Sequence, residues 1–300
     1  MSSAIPADIS VLTGPVLFAD LVNWGLFGAL TVQVYLYYIS FPQDKPLIKA
    51  VVYTTYSIEV VQTALATREA FRILAIGWGN PDVLVTVGWL GITIPCLVSV
   101  LTWISQMFYA WRIWILRRTL WLPIIIAMLS LTQMICGLIS GIHIQLIGIL
   151  AEVEARTSKT TTVRLVCALV CDVVIATSML QFLYGTRNTA MQRTQNIVSR
   201  LIKLTFETGL ILMLVAVIDL TFFLAFPQNN FFYAPSMSLS KLYSNAMLVM
   251  LNVRIEVVGG RSKNPRVDVE LSDATISTSL PMPTPYVPGS TPKASLTFDG

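Results

Sequence analysis

The stretch LWLPIIIAMLSLTQMICGLISGIHIQLIGIL, residues 120–150, contains no Asp, Glu, Lys or Arg. A helix of about 20 predominantly apolar residues crosses the hydrocarbon core of a bilayer. Inside lipid a chain segment must also satisfy its own backbone hydrogen bonds. Seven windows meet this description, at about 14–39, 47–67, 83–111, 120–150, 163–184, 204–226 and 231–253. Several exceed the minimum, which predicts tilting or extension beyond the bilayer. The seventh is the most diluted, by Pro235, Ser236, Ser238, Ser240 and Lys241. Only 12% of the 300 residues are charged and the mean hydropathy is +0.70. Soluble domains carry about 25% charged residues, so lipid must cover much of this surface. The expected fold is an all-α membrane protein, a seven-transmembrane helix bundle over residues 14–254.

The distribution of basic residues predicts the orientation. Segments after the odd-numbered windows carry thirteen: Lys45, Lys49, Arg112, Arg117, Arg118, Arg187, Arg193, Arg200, Lys203, Arg254, Arg261, Lys263 and Arg266. The opposite side carries six: Arg68, Arg72, Arg156, Lys159, Arg164 and Lys241. The expectation is an extracellular N-terminus (1–13), a cytoplasmic C-terminus, and the plasma membrane rather than an internal one. No cleavable signal peptide is read in MSSAIPADISVLT. Residues 255–300 turn rich in Ser, Thr and Pro, the composition of a disordered cytoplasmic tail. Its hydroxyl groups are candidate phosphate acceptors, and its basic start (254–266) suits anionic lipid.

Catalytic signatures are missing. The chain has no phosphate-binding G-x-x-x-x-G-K-[ST] loop and one histidine, His143. Multi-histidine metal sites are thereby excluded and a Ser-His-Asp site is disfavoured. Cys96, Cys136, Cys167 and Cys171 sit inside apolar runs, without the paired spacing of a zinc site. No enzyme activity, metal, cofactor or nucleic-acid partner is expected.

Ionisable residues inside a span cost a few kcal/mol and normally face protein or water with a partner. Counting from the outer ends, Asp20, Glu59, His143, Asp172, Asp219 and Lys241 all fall in the outer half of their windows. Helical spacing aligns Thr55, Glu59, Gln62 and Thr63, and likewise Ser99, Thr102, Gln106 and Tyr109. In the seventh window Lys241, Asn245, Leu248 and Asn252 share a stripe. The candidate intramembrane polar pocket is Asp20, Glu59, Gln62, His143, Asp172, Asp219, Lys241 and Asn245, with Lys241 expected to pair with Asp219 or Asp172. Two readings stand side by side. The residues form a ligand or ion pocket, or they are interhelical glue at about 0.6 kcal/mol per contact. At the other end, SQMFYAWRIWILRR (105–118) reads as an interface belt with snorkelling cations. Arg112, Arg117, Arg118 and Arg254 are the candidate cytoplasmic interface for a signalling protein.

Four stretches together resemble a family of fungal integral membrane proteins, abundant in mushroom-forming basidiomycetes and defined by a domain of unknown function. They are TGPVLFADLVNWGLFGALTVQVYLYYISFPQDKPLIKAVV (13–52), GNPDVL (79–84), QMFYAWRIWILRR (106–118) and KLYSNAMLVMLNVR (241–254). The resemblance implies seven spans and receptor-like character without an established activity, and it carries over no catalytic residue.

Two functions fit. A receptor-like sensor would use an outward-facing polar pocket, a small-molecule ligand and basic inner loops, although Asp/Glu-Arg-Tyr and Asn-Pro-x-x-Tyr motifs are missing. A small-solute or ion transporter would use the intramembrane Asp, Glu and Lys as its path. A retinal Schiff base at Lys241 is disfavoured, because the third window has no acid after Asp82.

Overall fold

Without water to bond the backbone, an apolar window closes its hydrogen bonds along itself, and the computed structural model shows that outcome throughout. It describes residues 9–78, 83, 86, 88–148, 150–186, 192–225 and 230–253. The described residues form α1 (Ile9–Ser40), α2 (Pro46–Phe71), α3 (Leu90–Arg117), α4 (Trp121–Ile147), α5 (Leu150–Thr186), α6 (Gln192–Ala225) and α7 (Tyr233–Asn252). A π-turn at Arg72–Ile76 prolongs α2, and a 3-10 turn at Asn230–Phe232 leads into α7. Residues 1–8, Arg254 and the tail at 255–300 lie outside the described residues.

Five helices are long and apolar enough to cross a membrane, through Thr13–Ser40, Gly91–Arg117, Trp121–Ile147, Arg156–Phe182 and Phe206–Ala225. They belong to α1, α3, α4, α5 and α6. Their outward faces carry large apolar side chains, among them Phe18, Trp111, Ile124, Met128 and Leu214. The chain is therefore a multi-pass membrane protein in contact with lipid.

Helices α2 and α7 do not reach the same apolar threshold, and for α7 the reason is its position. Fifteen of its twenty residues are buried, by packing against α1, α2, α3 and α6. By contrast the most apolar span, in α6, buries only 17% of its window. Lipid contact is what demands an apolar side chain. A helix sheathed by other helices can be polar wherever its neighbours satisfy it.

Apolar clusters brace α7 at several levels. Where α7 begins, Met237 packs with Ala19, Ala66, Ile94 and Val98. Along α6, Leu239, Tyr243 and Ala246 meet Leu212 and Ala216. Toward its other end, Leu248 and Leu251 pack with Leu30, Val34, Tyr37 and Val52, and Met250 joins Tyr109, Ile113, Ile126 and Ile175. The α3–α4 contact is closer than ordinary side chains allow. A Cβ added to Gly137 would collide with Ser99 Oγ and come within 2.9 Å of Pro95 O, and one on Gly141 would collide with Cys96 Sγ. These two glycines form a G-x-x-x-G spacing turned into the bundle.

Several helix ends differ from the windows read in the sequence. Helix α3 begins at Leu90 rather than 83 and ends at Arg117 rather than 111. Before it, Val83, Thr86 and Trp89 meet the end of α2 instead. Arg72, ion-paired to Glu69, donates to Val83 O (3.4 Å) and Thr86 O (3.5 Å), while Arg68 lies 5.5 Å over the Trp89 ring. Helices α5 and α6 start about a dozen residues before their apolar windows. At 1.5 Å per residue they measure about 55 and 51 Å, beyond a hydrocarbon core of about 30 Å. Their added turns are polar, so hydropathy does not mark them.

Candidate functional site

Lysine in a helix interior is tolerable only when a carboxylate or carbonyls meet its ammonium. Lys241 is fully buried and ion-pairs with Glu59 of α2, which is also fully buried. Its Nζ donates as well to the Glu59 backbone oxygen at 3.2 Å and lies 5.5 Å over the Phe27 ring. The other Glu59 oxygen accepts from Ser244 Oγ at 2.6 Å. One turn away, Gln62 Nε2 donates to Ser240 Oγ at 2.9 Å. The expected partners Asp219 and Asp172 are thus corrected to Glu59. The side of α7 that bears Lys241 packs on α1 and α2, whereas the two aspartates meet other side chains of α7.

Asn245 continues the seam toward α1. Its Nδ2 donates to Leu26 O (3.1 Å) and Lys241 O (2.7 Å), and its Oδ1 accepts from Gln33 Nε2 (3.0 Å). Asn252 Nδ2 adds a bond to Gln33 O at 2.8 Å. On the opposite side, Asp172 of α5 accepts from Gln106 Nε2 of α3 at 3.1 Å and from Tyr243 OH. Asp219 of α6 accepts from Ser236 Oγ at 2.6 Å. Helix α7 therefore holds α1, α2, α5 and α6 through separate polar bonds.

Asp20 and His143 stand apart. Asp20 is half-buried and accepts weakly from Thr67 Oγ1 at 3.5 Å, between α1 and α2. His143 is exposed on α4, away from α7. The other six residues of the expected pocket are divided among three α7 seams rather than gathered around one point. The stripes on α2 (Thr55, Glu59, Gln62, Thr63) and α3 (Ser99, Thr102, Gln106, Tyr109) are buried throughout. Of the basic residues at the far end, Arg117 donates to Gln181 Oε1 of α5 at 3.1 Å. Arg118 is exposed and ends α3 in the left-handed region (φ 57°), its N–H bonding Trp114 O at 2.9 Å. Arg112 is half-buried, and Arg254 lies outside the described residues.

Sequence reasoning gave no site role to Arg164, Ser236, Ser244 or Tyr243. Arg164 was grouped with loop charges, yet it sits within the apolar stretch of α5 and is only 6% exposed. The serines do leave a signal. Ser236, Ser240 and Ser244 recur every fourth residue, and each bonds a side chain of a neighbouring helix.

No curated protein and no solved structure matches the chain. Residues 168–256, running from within α5 through α7 and holding Asp172, Asp219, Lys241, Tyr243 and Asn245, match a family of unknown function (DUF6534).

Proposed function

We propose that the chain is a receptor-like membrane sensor with seven spans, an outside N-terminus and a cytoplasmic C-terminus, acting without catalysis at the plasma membrane. In this reading the whole of 13–255 belongs with the fungal seven-span proteins that its motifs resemble. Helices α2 and α7 complete the spans, α7 enclosed by its neighbours and α2 with an exposed apolar face of its own. The excess of basic residues after the odd-numbered helices supports the orientation.

The observation that carries the reading is the placement of polarity on one central helix. Packed helix interfaces switch between discrete arrangements rather than deforming continuously, and side-chain hydrogen bonds to different neighbours give α7 alternatives to switch between. A ligand that binds at the end where α7 begins, near Asp219 and Ser236, would bias the set of bonds that α7 keeps. The shift would reach the opposite end, where a cytoplasmic signalling protein would meet Arg112, Arg117 and Arg118. The buried carboxylates Glu59, Asp172 and Asp219 favour the second reading, a small-solute or ion transporter.

Reconstituted vesicles separate the two. With a pH-sensitive dye inside and imposed proton, sodium or potassium gradients, a sensor leaks no faster than protein-free vesicles. A flux that disappears in Asp172→Asn contradicts the sensor and favours transport.

A further inference from the structure

Three carboxylates are buried around α7, and they are not answered alike. Glu59 is met by the ammonium of Lys241. Asp172 of α5 is buried too, yet both of its bonds come from uncharged donors, Gln106 Nε2 at 3.1 Å and Tyr243 OH. Among the described residues no Lys, Arg or His forms an ion pair with it. Along α5 the closest basic residue is Arg164, eight positions away or about 12 Å. Along α3 from Gln106 it is Arg112, six positions or about 9 Å. The titratable groups facing Asp172 are Cys171 on its own helix, Tyr109 of α3 and Tyr243 of α7, none of them a cation. Helix α4 has no Asp, Glu, Lys or Arg, and on α6 Glu207 is exposed while Asp219 is bonded by Ser236. A carboxylate without a counter-charge is among the costliest groups to hold inside a membrane.

We propose that Asp172 is the binding site for one small monovalent cation, a proton or an alkali-metal ion. One carboxylate supplies one negative charge. Among the described residues no three His, Cys, Asp or Glu gather at any point, so Ca2+ or a transition metal lacks its ligand set. Hard cations take oxygen ligands, and two more oxygens converge here from other helices. Tyr243 brings its hydroxyl oxygen. Gln106 is fully buried, and its Oε1 has no hydrogen-bond partner. Turning that amide over brings Oε1 to the carboxylate in place of Nε2. Where the occupant is a proton taken from bulk water, it forms the Oδ1–H bond, which then donates to the same Oε1. Either occupant ends the donation from Gln106 and changes how α5 holds α3. Asp219 makes a poorer site, because a single hydroxyl, that of Ser236, reaches it. The assignment rests on neither reading of the chain: under sensing the cation is a regulator, under transport it is cargo, and binding at equilibrium needs no gradient.

The test follows Tm of the full chain in lipid nanodiscs. One series compares NaCl and KCl with choline chloride at equal ionic strength and fixed pH, and a second varies pH in choline chloride. Wild type should gain Tm saturably, by about 5 °C or more at about 100 times Kd. The gain comes with Na+ or K+ if the occupant is an alkali ion, and with falling pH if it is a proton. Asp172→Asn removes the charge and keeps an oxygen for Tyr243. It should erase the gain, and in choline at the highest pH its Tm should match or exceed that of wild type. Asp219→Asn should retain the gain. Should Asp172→Asn not fold, Asp172→Ser takes its place with the same loss of the gain. If neither alkali ions nor pH moves the wild-type Tm, Asp172 is held as a bare carboxylate and the assignment is overturned. A gain that survives the loss of the Asp172 carboxylate, or that vanishes in Asp219→Asn instead, overturns it equally.

Discussion

Replacing Lys241 by Met removes the ammonium and keeps an unbranched stem that fills the same space. What remains is Glu59, fully buried, with one oxygen still bonded by Ser244 and the other facing nothing. Removing one partner of a buried ion pair costs about 3–5 kcal/mol, because the surviving charge has neither water nor a counter-charge. At about 2–4 °C per kcal/mol for a domain of this size, Lys241→Met should lower Tm by about 6–20 °C. The double substitution Lys241→Met/Glu59→Leu removes both charges at similar volume and should recover most of that loss. The assay is thermal unfolding of purified protein in nanodiscs, with the two single variants and the double variant compared as a cycle. Coupling above about 2 kcal/mol is expected between positions 59 and 241. Losses that add within about 0.5 kcal/mol, the behaviour of independent sites, would refute the pairing. Lys241→Met combined with Asp219→Asn should show that additive behaviour.

Other substitutions probe the packing around α7. Gly137→Leu must push α3 and α4 apart, since even a Cβ meets Ser99 and the Pro95 carbonyl; overpacking predicts a loss of about 1–3 kcal/mol in the same unfolding assay. Gly28→Ala on α1 meets nothing within 4 Å and should be neutral or stabilising by up to about 1 kcal/mol. Tyr243→Phe takes a donor from buried Asp172 and should cost about 1–3 kcal/mol, whereas exposed His143→Leu should change Tm little. Arg118→Gly relieves a left-handed residue at the end of α3 and should raise stability by about 1 kcal/mol.

The lipid-facing helices were the most legible part of the sequence, because the same property that hydropathy measures is what lipid requires. Helix α7 was the least legible for the complementary reason: protein encloses it, and its serines, Lys241 and Asn245 dilute the signal that identifies a span. The polar turns that lengthen α5 and α6 beyond their apolar windows leave no hydropathy mark. Neither do the contacts of Val83, Thr86 and Trp89 with Arg72 and Arg68 at the end of α2. Stripes were readable from helical spacing, so Glu59, Gln62, Gln106 and Lys241 were placed on inward faces. The partner of Lys241 was not, because depth along the membrane suits Glu59, Asp172 and Asp219 about equally. What separates them is which helices flank each face of α7, and that is set by the packing of the whole bundle. Arg164 escaped notice for a simpler reason: a basic residue near the start of an apolar window reads as a loop charge until its depth is known.

The central claim is that α7 is a polar helix enclosed on all sides by the other helices. Single spin labels placed along 236–251, with matched labels on α4 at Ile124, Met128 and Leu131, would measure its access to oxygen dissolved in the lipid. The account expects low oxygen accessibility at every α7 position that folds, against high values at the three α4 positions. High accessibility recurring on α7 every three to four residues would mean that it presents a face to lipid, and would contradict the account.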